Sequence, residues 1–278
     1  MRTRRIVLGA LLAMAAGLLP ACAPVDNRPF TVVMLPDTQY YSAKFPATFT
    51  AQTRWIRENA GKENIVFVTQ VGDIVDNSKA PEQWKVADEA MSGLDGVVPW
   101  GVAAGNHDYD DLDKQASATF GSHFGPKRFA GQGWYGGGTE DGQCSYQYFQ
   151  GAGRRFMVLH LPFEGSEKSA AWAREVIAKN PGVPTIVSTH CYLCPGGNPF
   201  PDNPTAGRLG ARGLKEKLMK LVGGGTEIGG SWSADPAGRF ISSSRPVLLS
   251  APVMIIGGAS RLRFSEGSNR TPTICTSK

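Results

Sequence analysis

Short apolar runs that stop abruptly at Gly, Pro or Asp alternate with stretches whose apolar positions recur every three to four residues. Phe30–Leu35, Ile65–Val71 and Val97–Ala104 are near-continuous in β-branched and aromatic residues, the pattern of strands buried on both faces. Between them, Thr48–Ala60 places Phe49, Thr53, Ile56 and Ala60 on one helical face, and Pro81–Leu94 opens with a proline suited to a first turn. This β-α-β-α-β succession predicts a parallel sheet with right-handed crossovers. Asp108–Gly142 has little periodicity and reads as a long surface excursion. Gln143–Gln150 alternates as an antiparallel strand does, with Arg155–Leu161 as its hairpin partner across Gly151-Ala152-Gly153. Glu167–Asn180 predicts a helix with Trp172, Ala173, Val176 and Ile177 inward, Val183–Thr189 a strand, and Gly210–Val222 a last helix.

The pattern changes at both ends. Residues 1–22 carry Arg2, Arg4 and Arg5 ahead of the apolar run Ile6–Leu19, which is too short for a bilayer span and reads as an export signal. Leu19-Pro20-Ala21-Cys22 resembles a bacterial lipobox with Cys22 as the lipidated residue, so the only membrane attachment expected is a lipid anchor there. Thr3-Arg4-Arg5 fits either a twin-arginine or a general secretory signal. The expected location is the bacterial periplasm or its membrane surface. Beyond Val222, Gly223-Gly224-Gly225 opens a tract of Gly, Ser, Pro and Arg in which only Pro246–Ile256 is strand-like. The domain is therefore expected over 29–222, with an atypical tail over 223–278.

The 278 residues carry a formal charge of +5, but without the three arginines of residues 1–21 the balance is 26 basic to 24 acidic residues. That is a weak attraction for nucleic acid, which is expected only as a nuclease substrate. Beyond Cys22, the cysteines are Cys144, Cys191, Cys194 and Cys275. Export permits disulfides, and Cys191-Tyr192-Leu193-Cys194 fits a local disulfide or two free thiols better than zinc, since no second such pair exists.

The candidate chemistry gathers just past the strand ends: Asp37 and Gln39 after the first, Asp73 and Asp76 after Gly72, Asn106, His107 and Asp108 after Gly105, and His190 after the last. Singly, each is an ordinary turn or strand-end residue. Together they offer carboxylate, amide and imidazole ligands at the carboxyl edge of one sheet system, the donor set of a divalent-metal site. His107 projects away from its neighbour Asn106 and reads as an acid or electrostatic stabiliser, with Asp108 holding its ring.

Asp37-Thr38-Gln39, Gly72-Asp73-Ile74-Val75-Asp76, Gly105-Asn106-His107-Asp108 and Thr189-His190 resemble, in order, the D-x-H, G-D-x-x-D, G-N-H-[DE] and later His motifs of the calcineurin-like metallophosphoesterases. The resemblance implies an α/β fold, a four-layer α-β-β-α sandwich of two mixed β-sheets with helices outside, and an irregular or incomplete C-terminal part. It implies hydrolysis of a phosphate ester, small or polymeric, by two divalent ions (Mn, Fe, Zn or Mg). Asp37 would bind the first ion, Asp73 would bridge, Asn106 and His190 would bind the second, and His107 with Asp108 would assist the leaving group. Gln39 stands where the family usually has a ligating His. The final G-H-x-H is absent, because the four histidines are His107, His123, His160 and His190. Either the tail is a frameshifted reading of a once-complete domain or it is a genuine divergent tail. The rival to an enzyme is a non-catalytic envelope protein that binds a phosphate-bearing ligand or a single metal.

Overall fold

The computed structural model describes residues 30–114, 116–163 and 165–190, and the backbone of four short strands beyond them. In chain order the elements are β1 Phe30–Leu35, α1 Gln39–Lys44, α2 Pro46–Asn59, β2 Ile65–Gln70, α3 Pro81–Ser92, β3 Trp100–Val102, α4 Ala118–Phe124 and β4 Tyr135–Gly138. They continue with β5 Ser145–Gly151, β6 Arg154–His160, α5 Glu167–Lys179, β7 Thr185–Ser188, β8 Trp232–Ala234, β9 Phe240–Ser242, β10 Val253–Ile256 and β11 Arg261–Phe264. The export signal expected at 1–22, the Cys191/Cys194 pair, Cys275 and the helix expected at 210–222 lie outside the described residues.

Two mixed sheets form. One has the order β11-β1-β2-β3, the other β10-β7-β6-β5-β4. β1, β2 and β3 are parallel, and β11 runs antiparallel to β1. β6, β7 and β10 are parallel, whereas β5 opposes both β4 and β6. Alternation along each strand assigns the layers. Phe30, Val32, Met34, Phe67, Phe149, Val158 and Ile186 pack between the sheets. The opposite parity of the first sheet, with Val33, Leu35, Val68, Trp100 and Val102, packs on Phe49 and Ile56 of α2 and on Trp84, Ala87 and Met91 of α3. Met157, Leu159 and Val187 of the second sheet take Ala173 and Val176 of α5. The result is the α-β-β-α sandwich expected from the sequence.

Local chemistry explains most element ends. Ser166 accepts the Ser169 amide at 3.1 Å and caps α5. Ala152 (φ 46°) and Gly153 (φ 69°) form the two-residue turn between β5 and β6, whose positive φ angles match the twist of the hairpin. Three expectations need correction. β3 has only three residues, because Val97 and Val98 donate back to Leu94 in a turn that follows α3. The excursion at 108–142 contains α4 and β4, and β4 extends the second sheet beside β5. Helix α1 had no sequence signal; its six residues bury only Ser42. Among the described residues no helix is long and apolar enough to cross a membrane.

Candidate metal centre

Three strand ends converge, and glycines permit it. Gly72 has φ +99° and Asp73 φ +51°, so the chain leaves β2 through two left-handed residues. For a non-glycine such as Asp73 this costs about 1–2 kcal/mol, offset by what surrounds it. A Cβ on Gly72 would lie 2.7 Å from His190 Cβ, and one on Gly105 would lie 2.2 Å from both the amide nitrogen and Oδ1 of Asp73. Only bare backbone allows the ends of β2, β3 and β7 to come so close.

Asp73 is buried and bonded on every side. Its carbonyl accepts the Thr38 amide at 3.1 Å, its Oδ1 accepts the His107 amide at 2.8 Å, and its Oδ2 lies 3.1 Å from His190 Nε2. His190 Nδ1 lies 3.2 Å from the Val71 carbonyl. A carbonyl only accepts, so Nδ1 carries the hydrogen, and the Nε2 lone pair of the neutral ring faces a carboxylate. Two acceptors 3.1 Å apart require a proton or a cation between them.

Asp37 completes the group: one ligand atom from each of Asp37, Asp73 and His190 lies within 4.8 Å of the others. Gln39 hangs on Asp37, its amide nitrogen donating to Oδ1 and its Nε2 to Oδ2, both at 3.0 Å. That leaves Gln39 Oε1 buried with no partner. An orphaned amide oxygen, two carboxylates and an imidazole lone pair suit a hard or borderline divalent ion. Asn106 lies half-buried in the adjacent turn, which is pinned on both sides by the Gly105 amide on Asp108 Oδ2 (2.8 Å) and the His107 amide on Asp73.

Proton affinity rises at Asp37, Asp108 and His190. Burial raises Asp37, and the Asp73 charge adds to it against the opposing Gln39 amide. Burial also lifts Asp108 to about 7, again with a contribution from Asp73. Burial pulls His190 down, but its bond to Asp73 and the charges of Asp73, Asp108 and Asp37 outweigh this and leave it raised.

Asp108 has a different part from the one expected. Its Oδ1 accepts the amides of Ile74 (2.9 Å) and Val75 (3.1 Å), and its Oδ2 that of Gly105. A carboxylate committed to three amides fastens the loop after β2 to the loop after β3 and does not hold the His107 ring. That ring has Nδ1 2.7 Å from the Asp76 carbonyl and 3.8 Å from Asp76 Oδ1. Gln83 of α3 steadies this partner by accepting the amides of Asp76 (2.8 Å) and Asn77 (3.0 Å).

Gln70 was not among the sequence candidates. Fully buried, it donates to the carbonyls of Pro36 (3.2 Å) and Gly72 (3.0 Å) and accepts the Gly72 amide (2.8 Å), tying the end of β1 to that of β2. A polar residue at the end of an apolar run is its only sequence signal. His123 stacks on Trp84 at 5.2 Å, and His160 lies between the sheets; neither joins the cluster.

A protein of Bacillus subtilis (strain 168), uncharacterized protein YvnB, is 38% identical over 179 residues, 64% of this chain and 14% of that protein. The chain thus spans a small fraction of that relative's length. It is similar to a dimetal phosphatase from Danio rerio at TM-score 0.45 and 14% identity, over 83% of this chain and 88% of that one. It is also similar to the purple acid phosphatase PPD1 from yellow lupin (Lupinus luteus) seeds at TM-score 0.37 and 18% identity, over 62% and 32%. Residues 30–218 match the family described as calcineurin-like phosphoesterase, and the chain belongs to that family.

Proposed function

We propose that this chain hydrolyses a phosphate ester at a centre of two divalent ions, with Asp37 and Gln39 serving one ion, Asn106 and His190 the other, and Asp73 shared. The observation that carries the reading is the facing pair of acceptors, Asp73 Oδ2 and His190 Nε2, 3.1 Å apart, with Asp37 alongside. Divalent ions bound there supply Lewis acidity, neutralising phosphoryl charge and making water a better nucleophile near neutral pH.

The chain's own groups do the rest. Asp73, fixed in its left-handed conformation, presents one oxygen to the centre while the other holds the His107 amide. His107 keeps Nδ1 on the Asp76 carbonyl, which leaves its Nε2 to stabilise or protonate the departing oxygen. Asp108 and Gln70 keep the three loops in place. The class of substrate is a phosphate ester, and the residue pattern at 1–22 supports its being met outside the cytoplasm, on a chain anchored through Cys22.

One observation favours a second reading, a non-catalytic protein binding one ion or a phosphate-bearing ligand: no histidine follows His190. The test is hydrolysis of p-nitrophenyl phosphate and its bis ester in added Mn²⁺, with bound metal measured per chain. Wild type with about two ions and a rate lost in Asp73→Asn supports the enzyme. Equal rates in wild type and Asp73→Asn remove it.

A further inference from the structure

Directly below the metal centre, between the sheets, lies a buried polar cluster that reaches no solvent. Thr69 Oγ1 lies 2.9 Å from His160 Nε2 and 2.9 Å from Ser188 Oγ. Gln147 Nε2 donates to Ser145 Oγ at 3.0 Å. All five residues are buried, with Thr69, Gln147, His160 and Ser188 at 0% exposure, so none of them can exchange its partner for water. They share the inward parity of their strands, and in register His160 stands opposite Ser145 on β5 and Ser188 on β7. His160 Nδ1 and Gln147 Oε1 lack partners and crowd one spot over Gly101, where a Cβ would lie 2.4 Å from His160 Cε1 and 2.7 Å from Gln147 Oε1. Burial takes His160 down to about 3, so the ring is neutral and one nitrogen must accept. With the hydrogen on Nδ1, Nε2 accepts from Thr69, whose own oxygen then accepts from Ser188.

The placement is what matters. Thr69 precedes Asp73 on the same strand and loop by four residues, and Ser188 precedes His190 by two. Thr69–Ser188 is thus a cross-sheet bond immediately beneath the cross-sheet pair Asp73–His190. Apolar contacts between sheets tolerate sliding, whereas a hydrogen bond has a length and a direction. The apolar rung deeper in the sandwich, Phe67, Phe149, Val158 and Ile186, cannot fix strand height to that tolerance. We propose that Thr69, His160 and Ser188 are positioning residues that set the height of β2 against β7 and thereby the spacing of Asp73 from His190. This rests on Asp73 and His190 being metal ligands.

A polar cluster retained only for stability would predict something else. Removing the Thr69 hydroxyl strands His160 and Ser188, so a purely structural cluster loses Tm while its Mn²⁺ affinity stays unchanged. The experiment measures Mn²⁺ affinity by calorimetry and the visible spectrum of the Co²⁺-loaded protein, alongside Tm without metal. Thr69→Val, which keeps the shape and removes the hydroxyl, is expected to weaken Mn²⁺ about tenfold or more and to change the Co²⁺ spectrum. Thr69→Ser, which keeps the hydroxyl, should stay within about threefold of wild type. Phe149→Leu thins the same inter-sheet space without touching the cluster, and should lower Tm while holding Mn²⁺ affinity within about threefold. Thr69→Val binding Mn²⁺ like wild type overturns the proposal, as does Phe149→Leu losing as much affinity as Thr69→Val. A wild type that binds no Mn²⁺ overturns it too. A wild type that binds the ions and hydrolyses no ester overturns the functional reading alone.

Discussion

Gly105→Ala tests whether the centre depends on backbone contact. The added methyl would sit 2.2 Å from the Asp73 amide nitrogen, 2.2 Å from its Oδ1 and 2.8 Å from its Cγ. None of these is the free end of a flexible chain. The amide nitrogen belongs to a residue already left-handed, and the carboxylate is held by the His107 amide and faced by His190. Neither loop can yield easily, because Asp108 bonds the Gly105 amide and the amides of Ile74 and Val75 at once. Overpacking of this kind costs about 1–3 kcal/mol. For a chain of this size that is a fall in Tm of about 2–12 °C. Displacing Asp73 also misplaces the ligand proposed to be shared, which should cost about 10- to 100-fold in Mn²⁺ affinity. Thermal unfolding of the metal-free protein and Mn²⁺ calorimetry read the two effects separately. Gly61→Ala, whose new methyl meets nothing within 4 Å, is the control expected to change neither. A Gly105→Ala protein with wild-type Tm and Mn²⁺ affinity would show that the loops have slack and that the close approach is incidental.

Three further outcomes follow from the same geometry. His107→Ala should lower kcat on p-nitrophenyl phosphate by about 10²–10⁴-fold with Mn²⁺ affinity little changed, since its ring bonds the Asp76 carbonyl and not a ligand; an unchanged kcat removes its assigned role. His190 is raised above 6.5 in the folded, metal-free protein, so its stabilisation is complete below 6.5 and lost as pH rises through the folded value. Metal-free Tm should fall, and Mn²⁺ affinity rise, over that window; His190→Gln should flatten both trends and leave only the part that Asp108, lifted to about 7, contributes. His160 is depressed to about 3, so its contribution is present above 6.5 and lost as pH falls toward 3; acid unfolding of His160→Leu should be shallower than that of wild type.

The sequence exposed the parts of this fold whose physics is local. Strands buried on both faces read as continuous apolar runs, and β1, β2 and β7 were found for that reason. The Ala152-Gly153 turn announced its hairpin. β4, with glycine at three of its four positions, has no side chains to alternate, and α4 lies in a glycine- and serine-rich stretch, so tertiary packing alone reveals them. At the site, Asp37, Asp73 and His190 were legible because each follows a strand end. Asp108 was found but misassigned. A carboxylate that accepts backbone amides from its own loop and from another leaves no trace in residue spacing, because its partners have no side-chain identity. Gln70 was missed for the same reason.

The electrostatics supply an argument for cations that owes nothing to resemblance. Asp37, Asp108 and His190 hold their protons more tightly than free side chains do, and in each case the Asp73 charge contributes. For the two aspartates burial is the larger cause, and for His190 it opposes the gain and is overcome. At His190, where the carboxylates outweigh burial, positive charge is the missing component. Protons supply it one group at a time and disable the ligands they occupy. A divalent ion held by Asp37, Asp73 and His190 would supply it to all three at once while His190 keeps its Nδ1 hydrogen on Val71. The left-handed Asp73 and the glycines packed against it are therefore intelligible as the backbone cost of assembling that charge deficit in one place.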